Sequence, residues 1–131
     1  MQPTDPTVVV IDDDESVRKA LRRLVASFGL SVESFASAEE YLAAPGTPAP
    51  ACLIADVRLP GMNGLELQRR LTAAGRPTPV VFISAHADEQ ARREAREAGA
   101  VAFLQKPFDE RLLLEAMVRS MGKTRQPAVP Q

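Results

Sequence analysis

The sequence predicts an α/β domain: a doubly wound, five-stranded parallel sheet covered by helices on both faces, giving a three-layer sandwich. Two observations carry that class. Apolar runs of strand length at 7–11 "TVVVI", 30–35 "LSVESF", 51–55 "ACLIA", 79–83 "PVVFI" and 101–104 "VAFL" alternate with five helical patterns. The apolar character of four of these runs fits strands buried on both faces. A length of 131 residues, 45% of them hydrophobic and 25% charged, then suits one globular unit with its own core.

Each element has a local reason. After the first strand, Val17, Ala20, Leu21, Leu24, Val25 and Phe28 form an apolar stripe at i, i+3, i+4, i+7, i+8, i+11, and Gly29 stands where a helix ends. The second strand carries Ser31, Glu33 and Ser34 and is expected at a sheet edge. Ser37 and Glu40 make an S-x-x-E capping box for a short second helix, with Tyr41 and Leu42 as its apolar surface and Pro45-Gly46 as its end. Asn63 caps the third helix, Met62 and Leu67 staple it, and Leu65, Leu67 and Leu71 face inward. The fourth begins at Asp88 and offers only Ala91, Ala95 and Ala98, so its buried face is small and its hold on the sheet weak. Asp109 caps the fifth, Phe108 and Leu113 staple it, and Leu112, Leu113, Ala116 and Met117 are its apolar positions. The domain is expected over 1–122, with an extended N-terminus over 1–6 and a tail or interdomain linker over 123–131.

Composition excludes several classes. The formal net charge of −1 gives no positive field for nucleic acid or an anionic membrane. The single cysteine, Cys52, cannot form an internal disulfide and lies in an apolar run, which reads as a buried, inert thiol in a reducing compartment. No apolar stretch is long enough to span a bilayer and "MQPTDPT" is no signal peptide, so a cytoplasmic location is expected.

In an open α/β sheet, ligands bind beyond the carboxyl ends of the strands, where the strand order reverses. Asp12 and Asp13 follow the first strand, Asp56 ends the third, Ser84 ends the fourth and Lys106 follows the fifth. With the order 2-1-3-4-5 these groups share one edge. Adjacent carboxylates repel, and Lys106 is the one cation obviously placed among them. A divalent ion held by oxygens, Mg²⁺ or Mn²⁺, would answer the repulsion. Zinc lacks ligands, since His86 is the sole histidine, and no Gly-rich phosphate cradle occurs. The metal pair could be Asp12/Asp13 or Asp13/Asp14.

These residues resemble the receiver domain of two-component response regulators. The resemblance covers residues 8 to about 121 through the acidic pair after the first strand, "DVRLPGMNGLEL", "ISA" and "KPF". The wording "VRLPGMNGLEL", "SAHAD" and "AGAVAFLQKPF" is most similar to the FixJ-like branch, whose receivers usually precede a helix-turn-helix output domain that these 131 residues do not contain. The resemblance implies a flavodoxin-like (βα)5 fold in the order 2-1-3-4-5. It implies Asp56 as acceptor of a phosphoryl group from a sensor histidine kinase, not a conventional enzyme. Mg²⁺ would be held by Asp13, Asp56 and the main-chain carbonyl of Arg58, with Asp12 acting through water. Lys106 would neutralise the phosphoryl group ahead of a cis bond to Pro107, and Ser84 and Phe103 would form a switch pair. The family register chooses Asp12/Asp13 and leaves Asp14 as a helix cap. A phosphorylation-dependent homodimer, output through transcription, and DNA contact only through another domain are further implications, while His86 stays unassigned. Two rivals are a haloacid-dehalogenase-like phosphohydrolase and a phosphorylation-independent interaction module. The first needs an aspartate two residues after Asp56, where Arg58 stands, and the second would more naturally have lost Asp56, Ser84 or Lys106.

Overall fold

A computed structural model describes residues 7–44, 49–85 and 89–124. The elements are β1 Thr7–Ile11, α1 Glu15–Ser27, β2 Ser31–Phe35, α2 Ala38–Ala43, β3 Cys52–Asp56, α3 Gly64–Ala73, β4 Val80–Ser84, α4 Glu89–Glu97, β5 Ala102–Gln105 and α5 Glu110–Thr124. All strand pairs are parallel and the order is β2-β1-β3-β4-β5.

The apolar residues of β1, β3 and β4 are explained by alternation, whereas β5 is the other edge and, contrary to expectation, only half-buried. Val9, Ile11, Leu53, Ala55, Val80 and Phe82 face one helical layer with Tyr41, Leu67, Leu71 and Ala95. Val8, Val10, Cys52, Ile54, Val81 and Ile83 face the other with Leu21, Val25, Leu113, Ala116 and Met117. Successive side chains point to opposite faces, so a strand between two cores must be apolar at every position. β2, with exposed Ser31 and Glu33, is the edge that its polarity predicts.

Several boundaries and faces differ from expectation. Four strands start one residue later than the apolar runs; β4 begins at Val80 because Pro79 has no N–H to donate, although its carbonyl still accepts from Leu53 at 2.9 Å. The α2 cap holds, with Glu40 N–H donating to Ser37 Oγ at 3.1 Å, but the Glu40 carboxylate returns to the amide of Ala36 rather than Ser37. Ala20, Leu42, Ala98 and Leu112 are exposed rather than buried. Leu112 and Leu113 lie about 100° apart on the helix, so only one can join the inward row Leu113, Ala116, Met117, Ser120. Ala98 follows the end of α4, where Gly99 turns the chain at φ +91°. Gly122 does not end α5, which runs to Thr124, two residues past the expected boundary. Residues 1–6, the Pro45-Gly46 stop, His86, the Asp88 start and the tail from 125 lie outside the described residues.

No helix among the described residues is long and apolar enough to cross a membrane. Cys52 is fully buried, and burial lifts its thiol pKa to about 11, against the opposing Ser120 hydrogen bond. It is therefore not a ready nucleophile.

Candidate functional site

The carboxyl ends of β1, β3 and β5 bring Asp12, Asp13, Asp56 and Lys106 together. Asp12 and Asp56 are buried, at 0% and 6% exposure, and Asp13 is exposed. The Lys106 amine donates to Asp12 Oδ2 at 3.0 Å and to Asp56 Oδ2 at 2.9 Å. Each acid's other oxygen accepts a main-chain N–H two residues on, Asp14 to Asp12 Oδ1 at 2.9 Å and Arg58 to Asp56 Oδ1 at 2.8 Å. Both carboxylates are thus locked by local Asx turns, with one oxygen left to the amine. Lys106 itself is fixed through its N–H, which bonds the Ser84 carbonyl at 2.7 Å, and its peptide bond to Pro107 is cis.

Burial is the largest influence on the Asp12 pKa and raises it, although the Asp14 amide and Lys106 oppose the shift. For Lys106, burial pulls its pKa down, but the bonds and charges of Asp56 and Asp12 together outweigh it, and the net shift is upward. The amine therefore stays charged. Asp14 sits outside this network: its side chain accepts from Ser16 and Val17 as the cap of α1, and those bonds hold its carboxyl below the usual range.

One oxygen from each of Asp12, Asp13 and Asp56 lies within 4.8 Å of the others. Three hard oxygen donors, two of them pre-oriented and one open to solvent, fit a divalent cation that keeps part of its water shell. Beside them opens a cleft of about 620 Å³, lined by Asp13, Arg58, Pro60, Asn63, Gln90 and Glu94.

The other predicted residues take nearby places. Ser84, 1% exposed, is one residue beyond Ile83, the register partner of Asp56. Phe103 is half-buried, its ring 6.5 Å from that of Phe82, with the Arg92 guanidinium 4.8 Å above it. Arg58 is exposed, and its N–H is the contact made to Asp56.

Three participants were not singled out from sequence. Arg18 Nη1 donates to the Asp12 carbonyl at 2.8 Å and ties α1 to the β1–α1 loop. Gly64 opens α3 where an added Cβ would stand 2.7 Å from the Asp56 carbonyl oxygen and 2.9 Å from Phe82 Cε1, so only glycine lets the helix approach the end of β3. Arg92 covers Phe103 and donates to its carbonyl at 3.4 Å. A glycine at a helix start, where alanine is the better former, is a readable sign of close approach; the two arginines have no such signature.

Comparison with known proteins matches residues 8–118 to the family described as the response regulator receiver domain. The chain is 44% identical over 117 residues to the response regulator protein TmoT of Ectopseudomonas mendocina, covering 89% of this chain and 53% of that protein. It is 41% identical over 123 residues to the transcriptional regulatory protein FixJ of Azorhizobium caulinodans, covering 93% and 58%. A solved structure of a response regulator receiver protein from Burkholderia phymatum superposes with a TM-score of 0.77 at 45% identity, covering 89% and 95%. The chain spans just over half the length of these two full-length relatives.

Proposed function

The chain belongs to the response regulator receiver domain family, the signalling input of two-component systems, and from that premise we propose that Asp56 is its phosphoacceptor. The observation that carries the reading is the buried Asp12–Lys106–Asp56 network at the strand ends, with exposed Asp13 alongside. A sensor histidine kinase is the donor. A carboxylate oxygen of Asp56 attacks the phosphorus, the bond from phosphorus to the donor imidazole breaks, and the nitrogen keeps the electron pair and regains a proton from solvent. The product is an acyl phosphate on Asp56. Such a transfer depends on positioning and charge neutralisation more than on bond making by the protein.

Mg²⁺ would be held by Asp13, Asp56 and the main-chain carbonyl of Arg58, with Asp12 acting through water; Mn²⁺ is a substitute. When bound, the ion supplies positive charge against the phosphoryl oxygens. Lys106 supplies the second positive charge from its fixed place. The two Asx turns hold the acids ready, so little reorganisation is needed.

The signal leaves through Ser84 and Phe103. The Ser84 hydroxyl donates to a phosphoryl oxygen, drawing the loop after β4 inward and letting the Phe103 ring follow, which alters the face of α4, β5 and α5. A hydrogen bond to a charged oxygen is worth ~1.5–3 kcal/mol, enough to invert a nearly balanced pair of states. That face makes a homodimer on phosphorylation, and the output is transcription, in the cytoplasm, with DNA contacted only through an output domain that these residues do not contain.

Incubation with Mg²⁺ and acetyl phosphate, read by intact mass, tests the assignment. One phosphoryl group per chain, dependent on Mg²⁺ and lost in Asp56→Asn, is expected. Repeated turnover of small phosphoesters, or modification that survives Asp56→Asn, would overturn it.

A further inference from the structure

The loop from Val57 to Asn63 follows Asp56 and forms one wall of the cleft. It is held at its start by the Arg58 N–H on Asp56 Oδ1, 2.8 Å. Its far end is held from a different element. Glu39, in the first turn of α2, takes the Met62 N–H on Oε2 at 2.8 Å, across 23 residues of sequence. The same oxygen occupies the space over Gly61: a Cβ there would stand 2.6 Å from it. Gly61 has φ +74°, so the turn that lets the carboxylate in is one that glycine alone adopts without strain.

Ser37 caps α2 and Glu40 serves Ala36, while the Glu39 carboxylate, which also lies against its own main-chain N–H, reaches out of the helix to the loop. The Met62 amide also draws the Glu39 carboxyl below its usual range, a sign that the charged form is the one that binds. A bare Gly61 hinge is the loop's most permissive point, and the Glu39 carboxylate sits against it.

We infer that Glu39 is a positioning residue for the Asp56 site: by holding Gly61 and Met62 it keeps the loop in the shape that presents the Arg58 main chain beside Asp56, raising divalent-cation affinity and phosphoacceptance. The inference rests on the reading of Asp56 given above.

Mg²⁺ titration calorimetry and the rate of labelling by acetyl phosphate, on the full chain, test it with Glu39→Ala and Glu39→Gln. Glu39→Ala should weaken Mg²⁺ binding and slow labelling by about fivefold each, the scale of one lost hydrogen bond. Glu39→Gln, whose amide oxygen still accepts from Met62, should recover most of both. Native affinity and rate in Glu39→Ala, or equal damage in Glu39→Gln, would overturn the inference. A native protein that neither binds Mg²⁺ nor is labelled would instead overturn the Asp56 reading, and this one with it.

Discussion

Removing the Lys106 amine is the sharpest test of how the acid cluster is tolerated. Lys106→Met keeps most of the stem's volume and deletes the charge between Asp12, at 0% exposure, and Asp56. At about 3 Å, each ion pair contributes ~1.4 kcal/mol in a water-like dielectric and ~5.5 kcal/mol at an effective value near 20. Breaking a buried pair by deleting one partner typically costs ~3–5 kcal/mol. A second limit comes from protonation. Burial already raises the Asp12 pKa above 3.8, and without the amine it rises further. If Asp12 simply takes a proton on folding, the cost at pH 7 cannot exceed ~4 kcal/mol, the free energy of protonating an ordinary aspartic acid there. The expected loss is therefore ~2–4 kcal/mol in metal-free buffer.

The pH profile separates this mechanism from lost packing. A carboxyl whose folded pKa lies above its unfolded value makes the folded state bind more protons. Its stabilising contribution is full below the unfolded pKa and is lost as pH rises through the folded one. Lys106→Met should thus regain stability as pH falls from 7 toward 4, by at most ~1.4 kcal/mol per pH unit. Urea denaturation followed by circular dichroism across that range measures it. Asp12→Asn in the same chain should recover most of the loss at pH 7, with a coupling energy above ~1 kcal/mol in the double-mutant cycle. A pH-independent loss, or no rescue by Asp12→Asn, would refute the proposition that the amine is there to hold two buried carboxylates.

Three further outcomes follow from the same contacts. Gly64→Ala should lower stability by ~1–3 kcal/mol in urea denaturation, because the new methyl must displace main-chain atoms at Asp56 rather than a flexible side chain. Arg92→Ala should change stability by no more than ~1 kcal/mol yet shift the fluorine NMR signal of a fluorophenylalanine at position 103; an unchanged ring signal would count against Arg92 as a group that fixes the Phe103 ring. Asp14→Ala should remove part of the acid-limb pH dependence. The lowered Asp14 pKa means its contribution is full above 3.8 and lost as pH falls through the lower folded value, so an unaltered acid limb would show that the cap does not work through its charge.

What the sequence made legible tracks how local each physical cause is. Strand ends followed by acid, hydroxyl or amine could be read because parallel β-α-β topology sends every such end to one edge; the chain from Asp12 to Lys106 needed no contact information. The caps at Asp14, Ser37 and Asn63 could be read because a cap and its amide are three residues or fewer apart. Leu112 and Ala20 were misplaced because hydrophobicity names candidates for a buried face, whereas packing admits only a stripe of limited width.

The bracing side chains that escaped sequence reading share one property. Arg18, Glu39 and Arg92 each bond a main-chain atom of a distant loop or strand: the Asp12 carbonyl, the Met62 amide and the Phe103 carbonyl. Every residue except proline offers the same main-chain donor and acceptor, so the partner leaves no trace in the sequence. On a surface of ordinary charged helices, an arginine or glutamate that braces a loop has the same composition and spacing as one that is only solvated. The acids and the amine, by contrast, are betrayed by their cost, since charge crowded at the end of an apolar strand requires a counter-charge. Legibility from sequence therefore favours the crowded charges at the strand ends over the side chains that brace the loops around them, and a variant series confined to Asp12, Asp13, Asp56 and Lys106 would miss Arg18, Glu39 and Arg92.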